Sequence, residues 1–150
     1  MAGFKLNRMK QKPGSSFTSL PELGVHTMQR PNAIVVQSDS RSASALAAAL
    51  HNHCRSVYLA RSPEEVRDAV PKHRANIVIA DLELMHLPEI QRLHNEFGNV
   101  SIVCTHRVPD EEMWAESLQA GAVDCCYSSD VHAIMSAALQ NQHMAQSKAA

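Results

Sequence analysis

The stretch Ile77-Val78-Ile79-Ala80-Asp81 ends an unbroken apolar run on a carboxylate. A short continuous apolar run reads as a strand covered on both faces, and the carboxyl end of such a strand is where open α/β sheets keep their chemistry. Working outward from Asn76 to Asp81, the same alternation of strand and helix patterns recurs on both sides.

On the N-terminal side, Ala33-Ile34-Val35-Val36 is a second apolar run, Ser42 to His51 is an Ala- and Leu-rich helix, and Ser56-Val57-Tyr58-Leu59-Ala60 is a further strand. Ser62-Pro63-Glu64-Glu65 then offers an N-cap, a proline at the first helical position and a glutamate that completes a capping box, opening a helix to about Lys72. On the C-terminal side, apolar residues at 87, 90, 93 and 97 have helical spacing and stop at Gly98. Val100 to Cys104 is the fourth strand. Pro109-Asp110-Glu111-Glu112 opens a helix with acids where its dipole favours them, and Ala120-Gly121 closes it. Ala122 to Tyr127 gives a fifth strand and Asp130 to about His143 a last helix. Parallel strands need crossovers, and crossovers cover both faces of a sheet. Five such units therefore predict an α/β fold with a doubly wound, five-stranded parallel sheet.

The composition agrees with one globular domain: 150 residues, 45% apolar and 4% aromatic, with a formal net charge of −1. No apolar stretch approaches the roughly 20 residues that span a bilayer, and no secretory h-region opens the chain, so the cytoplasm is the expected compartment and no membrane partner is expected. Residues 1–31 carry five basic side chains against Glu22 alone, a charge of +4, and include Pro13-Gly14-Ser15-Ser16. They read as a basic, disordered leader that is a plain solvated segment and not a nucleic-acid binder; residues 32–145 form the domain and 146–150 a short tail.

Cys54, Cys104, Cys125 and Cys126 sit in or beside apolar segments and read as reduced core thiols; the adjacent pair at 125 and 126 points to opposite faces of a strand and cannot chelate as CxxC does. Nine histidines raise a metal question, but His51 and His53 do not share a helix face, no second pair follows at a zinc-ligand interval, and exposed histidines are expected. No Gly-rich phosphate loop, Ser/His/Asp arrangement or HExxH motif is present.

The layout of residues 33–143, with Asp81 ending strand three, Thr105 closing Ile102-Val103-Cys104-Thr105, and Gly121-Ala122-Val123-Asp124 matching a GAxD entry to strand five, resembles the receiver domain of two-component response regulators. That resemblance implies a flavodoxin-like strand order of 2-1-3-4-5. It implies Asp81 as phosphoacceptor, Thr105 as switch, Mg²⁺ as cofactor held by an acidic pair after strand one, and a lysine after strand five. A carboxylate attacking a phosphoryl group gathers negative charge in one place, and those cations compensate it.

This chain departs from the pattern at most of those helpers. The acidic pair falls on Gln37 and Ser38, with Asp39 one place beyond, and the lysine position falls on Ser128. Met85 stands where the family has a proline, and Cys125 where it has its switch aromatic. Mg²⁺ is left with Asp81, Asp39 and the carbonyl of Glu83, a weak site at best.

The expected function is therefore a degenerate receiver, a pseudo-receiver that signals by protein–protein contact and is not an enzyme. Its partner would be a signalling protein, a sensor kinase or a second copy of the chain, since nothing after the last helix reads as an output domain, unless the chain is one piece of a longer polypeptide. The alternatives are a phosphoryl-accepting receiver with an atypical Mg²⁺ site and a small ligand-binding α/β domain using the same crevice. Trp114 and Met113 in the fourth helix are the candidate contact residues, although Trp114 with Leu118 also fits a buried helical stripe. Asp81 has a structural reading as well, capping the following helix or accepting backbone hydrogen bonds. As an isolated carboxylate it would gain little, so Asp81→Asn is expected to leave folding intact.

Overall fold

The computed structural model describes residues 30–149, with side chains as far as Gln140. The leader expected over residues 1–31 lies outside the described residues but for its last two positions. Strands β1 (Asn32–Val36), β2 (Ser56–Ala60), β3 (Ile77–Asp81), β4 (Ser101–His106) and β5 (Asp124–Tyr127) alternate with helices α1 (Ser40–His51), α2 (Pro63–His73), α3 (Leu87–Glu96), α4 (Glu111–Ala120) and α5 (Val131–Ala149). The sheet order is β2-β1-β3-β4-β5, parallel throughout, which is the 2-1-3-4-5 order expected.

The central strands are apolar on both faces because both faces are packed. Ile34, Val36, Val78, Ala80, Ile102, Cys104 and Cys125 point to one side, against Val66 and Val70 of α2, Ile90 and Leu93 of α3 and Ala120 of α4. Ala33, Val35, Ile77, Ile79, Val103 and Cys126 point to the other, against Leu46 and Leu50 of α1 and Ile134 and Ala138 of α5. Each fully buried aliphatic side chain of this kind contributes about 1.5–3 kcal/mol, so the two layers dominate the stability. The adjacent cysteines fall in opposite layers, and all four cysteines are buried and free.

Several helix ends differ from the sequence reading for local reasons. Helix α1 begins at Ser40 because the Asp39 side chain caps it, accepting from Ser42 N at 3.1 Å. Ser62 caps α2 as expected, but Glu65 does not close the box; it accepts from Arg61 N at 2.9 Å and from the Tyr58 hydroxyl at 2.6 Å. Helix α5 runs to Ala149, through most of the segment read as a tail. Gly121 ends α4 at φ 112°, a left-handed conformation, and a Cβ there would overlap the His94 ring of α3. Both facts require glycine, and together they fix how α4 packs on α3.

Candidate functional site

The carboxyl ends of β1, β3, β4 and β5 bring Gln37, Ser38, Asp39, Asp81, Arg107 and Ser128 around one cavity of about 370 Å³, with Ser42 and Glu83 completing its wall. Parallel pairing sets this arrangement: Asp81 is the register partner of Thr105, and Ala80 of Val36, so the chain leaves each strand at a similar height.

Asp81 is only 4% exposed, and its carboxylate is well supplied with donors. Oδ2 accepts from the Ser38 amide at 2.9 Å and the Ser38 hydroxyl at 2.6 Å, and Oδ1 accepts from the Glu83 amide at 2.9 Å. The Asp81 carbonyl accepts from the amides of Leu84 and Met85, turning the chain toward α3. The expectation of an isolated carboxylate is thus corrected: Asp81 ties the β1–α1 loop to the β3–α3 loop, and its removal leaves partly buried donors without that acceptor.

Glu83 sits beside it. Its Oε1 lies 3.1 Å from Ser38 Oγ, and its Oε2 takes Arg107 Nε at 3.1 Å and Nη2 at 3.0 Å, with His106 Nε2 at 4.0 Å. Arg107, whose side chain is 78% exposed, is a residue that the sequence reading missed. Only its place two residues past Thr105 pointed to it. Thr105 is fully buried and its Oγ1 accepts from Gln37 Nε2 at 3.0 Å, while the other amide atom of Gln37 has no partner. Ser128, at the expected lysine position, is half-buried and lines the cavity. Met85, at the expected proline position, is fully buried in the core.

The residues do not match a divalent-cation site. Asp39 Oδ2 is committed to the Ser42 amide and hydroxyl, which hold the Asp39 carboxyl below its usual range, with the hydroxyl bond the larger cause. Ser38 puts a hydroxyl donor, not a carboxylate, against Asp81. Among the described residues no group of three His, Cys, Asp or Glu side chains is placed to hold a metal ion. Mg²⁺ is commonly held by one or two carboxylates together with waters, and here the Oδ2 atoms of Asp81 and Asp39 are already engaged by Ser38 and Ser42.

The candidate contact residues lie elsewhere. Trp114 is 47% exposed, and its Nε1 donates to Asp124 Oδ1 at 3.0 Å; it is a surface residue of α4 and not part of a buried stripe with Leu118. Met113 is half-buried, packs on the core, and lines a groove of about 520 Å³ with Leu82, Leu87 and Pro88 on the α3 side. Val108 in the β4–α4 loop and Tyr127 on the edge strand β5 are also exposed, so three of the four exposed large apolar residues among those described belong to the β4–α4–β5 region.

No family model and no curated protein matches the sequence. Solved structures do match its fold. The receiver domain of a Francisella response regulator superposes with a TM-score of 0.65 at 11% identity, over 81% of this chain and 100% of that one. A response regulator from Thermotoga maritima gives 0.62 at 23% identity, over 71% and 98%. A response regulator protein from Burkholderia pseudomallei with a phosphorylated aspartic acid, calcium ion and citrate gives 0.65 at 19% identity, over 80% and 73%. The chain has the flavodoxin-like fold of response-regulator receiver domains. No helix among the described residues is long and apolar enough to cross a membrane.

Proposed function

We propose that the chain is a receiver-fold signalling module that acts by protein–protein contact and whose phosphoacceptor site is degenerate. One observation carries this reading. The Ser38 hydroxyl and amide occupy Asp81 Oδ2 directly, where a receiver would need a carboxylate and a metal ion facing that oxygen. Ser128 in place of a lysine removes the second compensating charge. A carboxylate that already accepts from three neutral donors, with no cation bonded to it, is poorly placed to attack an anionic phosphoryl group.

The surface of β4–α4–β5 supports the contact half of the proposal. Val108, Trp114 and Tyr127 give it exposed apolar area, and aromatic anchors dominate binding energy at interfaces. The partner is a signalling protein, a sensor kinase or a second copy of the chain. A second reading, a phosphoryl-accepting receiver using Asp81, is favoured by the Asp81–Thr105 register pair and by the phosphorylated aspartate of the Burkholderia pseudomallei neighbour. Incubation with acetyl phosphate and Mg²⁺, followed by intact mass, separates the two: an unchanged mass is expected.

A further inference from the structure

Helix α4 has two working sides. Trp114 turns its Nε1 to Asp124 on β5, whereas Met113 packs on the core beside α3 and, with Leu82, Leu87 and Pro88, gives an apolar lining to the groove of about 520 Å³. The rest of that lining is one-sided in charge. Asp110, Glu112 and Glu116 stand on it and no lysine or arginine does; its basic side chains are the imidazoles of His86 and His106. Glu112 and Glu116 are four residues apart, neighbours on one helix face, where like charges repel. Helix α4 holds no lysine or arginine over Glu111–Ala120, and among the described residues no ion pair reaches either glutamate.

Floor and rim together select the occupant. An acidic segment would add repulsion to repulsion. A neutral apolar segment would fill the floor but strip water from the carboxylates without a cation to replace it, which is costly. A segment with apolar side chains between lysines or arginines meets both at once, seating the apolar groups on Leu87, Pro88 and Met113 and setting a cation against the Glu112–Glu116 pair. We propose that the α3–α4 groove is the docking site for a short basic and apolar peptide segment of a partner protein. A groove of this volume suits a few side chains and not a whole domain face, and the unbranched thioether of Met113 adapts to them. The proposal rests on the reading of the chain as a contact module and adds the chemistry of the partner; it requires nothing of Asp81.

The test is an NMR titration of the isotope-labelled full chain with three synthetic peptides of equal length: leucine alternating with lysine as the probe, serine with lysine for charge alone, and leucine with glutamate for apolar contact of the wrong sign. The leucine–lysine peptide is expected to give saturable shifts of the Leu82, Leu87, Met113 and Glu116 amides, and the other two to give none that saturate. Glu112→Gln/Glu116→Gln, at exposed positions, should weaken that binding roughly tenfold, the upper scale of two exposed ion pairs. Glu112→Lys/Glu116→Lys should abolish it. Saturation by the leucine–glutamate peptide, or unchanged affinity in Glu112→Lys/Glu116→Lys, would overturn the proposal. Groove shifts that change on dilution without peptide would name a second copy as the occupant, and groove shifts that change in Lys5→Glu/Arg8→Glu/Lys10→Glu would name the chain's own basic segment; either overturns a partner protein. Absent groove shifts, with association still lost in Trp114→Ala, would overturn it too, while leaving the contact-module reading in place on the β5 side of α4.

Discussion

Ser38 donates twice to Asp81 Oδ2, from its amide at 2.9 Å and its hydroxyl at 2.6 Å, and so joins the ends of β1 and β3 through one carboxylate oxygen. The bond is made by a residue standing where the receiver resemblance calls for an acid. A carboxylate at position 38 would repel Asp81 unless a cation lay between them; a serine needs no such ion.

This pairing predicts that Asp81→Asn destabilises the fold. The carboxamide keeps one acceptor oxygen and turns an NH₂ group toward either the Ser38 or the Glu83 amide, leaving a partly buried donor unpaired at a cost of about 1 kcal/mol. Ser38→Ala removes the hydroxyl alone and should cost about 1 kcal/mol. Urea unfolding of the two variants checks both values. No loss in Asp81→Asn would restore the picture of an isolated carboxylate.

Gly121→Ala is expected to destabilise more than a surface glycine substitution does, by about 1–3 kcal/mol, because the new Cβ carries a positive φ and meets the His94 ring. Combining it with His94→Ala removes the ring contacts but leaves the Cβ of residue 94 at 2.7 Å and the backbone strain, so the double variant should recover part of the loss and not all of it. Thermal melting of the single and double variants reads this directly; additive losses would contradict it.

Trp114→Ala is expected to change stability by only about 1 kcal/mol, the scale of the Asp124 hydrogen bond that it removes, while weakening association with a partner or a second copy. Melting curves and light scattering or pull-down measure the two effects separately. A loss of several kcal/mol, the cost of emptying a large core site, would place the indole's role in folding and not in contact.

Burial pushes the Cys104 and Cys126 thiols up from 9.0 to about 12. The folded chain therefore keeps protons that the unfolded chain loses, so their stabilising contribution is complete below about pH 9 and falls as pH rises from there toward 12. Urea midpoints should decline over that alkaline range, and the decline should be shallower in Cys104→Ala, whatever its absolute stability. An equal slope in the variant would show that the thiol is already ionised in the native state.

The sheet was legible because its causes are local and periodic. Val35 and Ile79 are apolar since the strands that carry them are covered on both faces, and Ser62, Asp110 and Gly121 mark helix ends by their own chemistry. Strand order required the resemblance, because register between β1 and β3 depends on residues more than forty positions apart. The candidate site was legible as positions and not as bonds. Asp81, Ser128 and Gln37 could be placed at strand ends, but the Ser38–Asp81 pair, the Gln37–Thr105 bond and the Arg107–Glu83 pair are made by side chains meeting across loops, which no periodicity encodes. Glu65 shows the same limit locally: Tyr58, on the neighbouring strand, competes for the carboxylate that a capping box would use.

The most direct measurement is intact mass after incubation with acetyl phosphate and Mg²⁺, run on the wild type beside Gln37→Asp/Ser38→Asp/Ser128→Lys, which rebuilds the acidic pair and the lysine around Asp81. A degenerate site predicts no phosphoryl increment on the wild type and an Asp81-dependent increment on the rebuilt chain. A stoichiometric increment on the wild type that disappears in Asp81→Asn would contradict it.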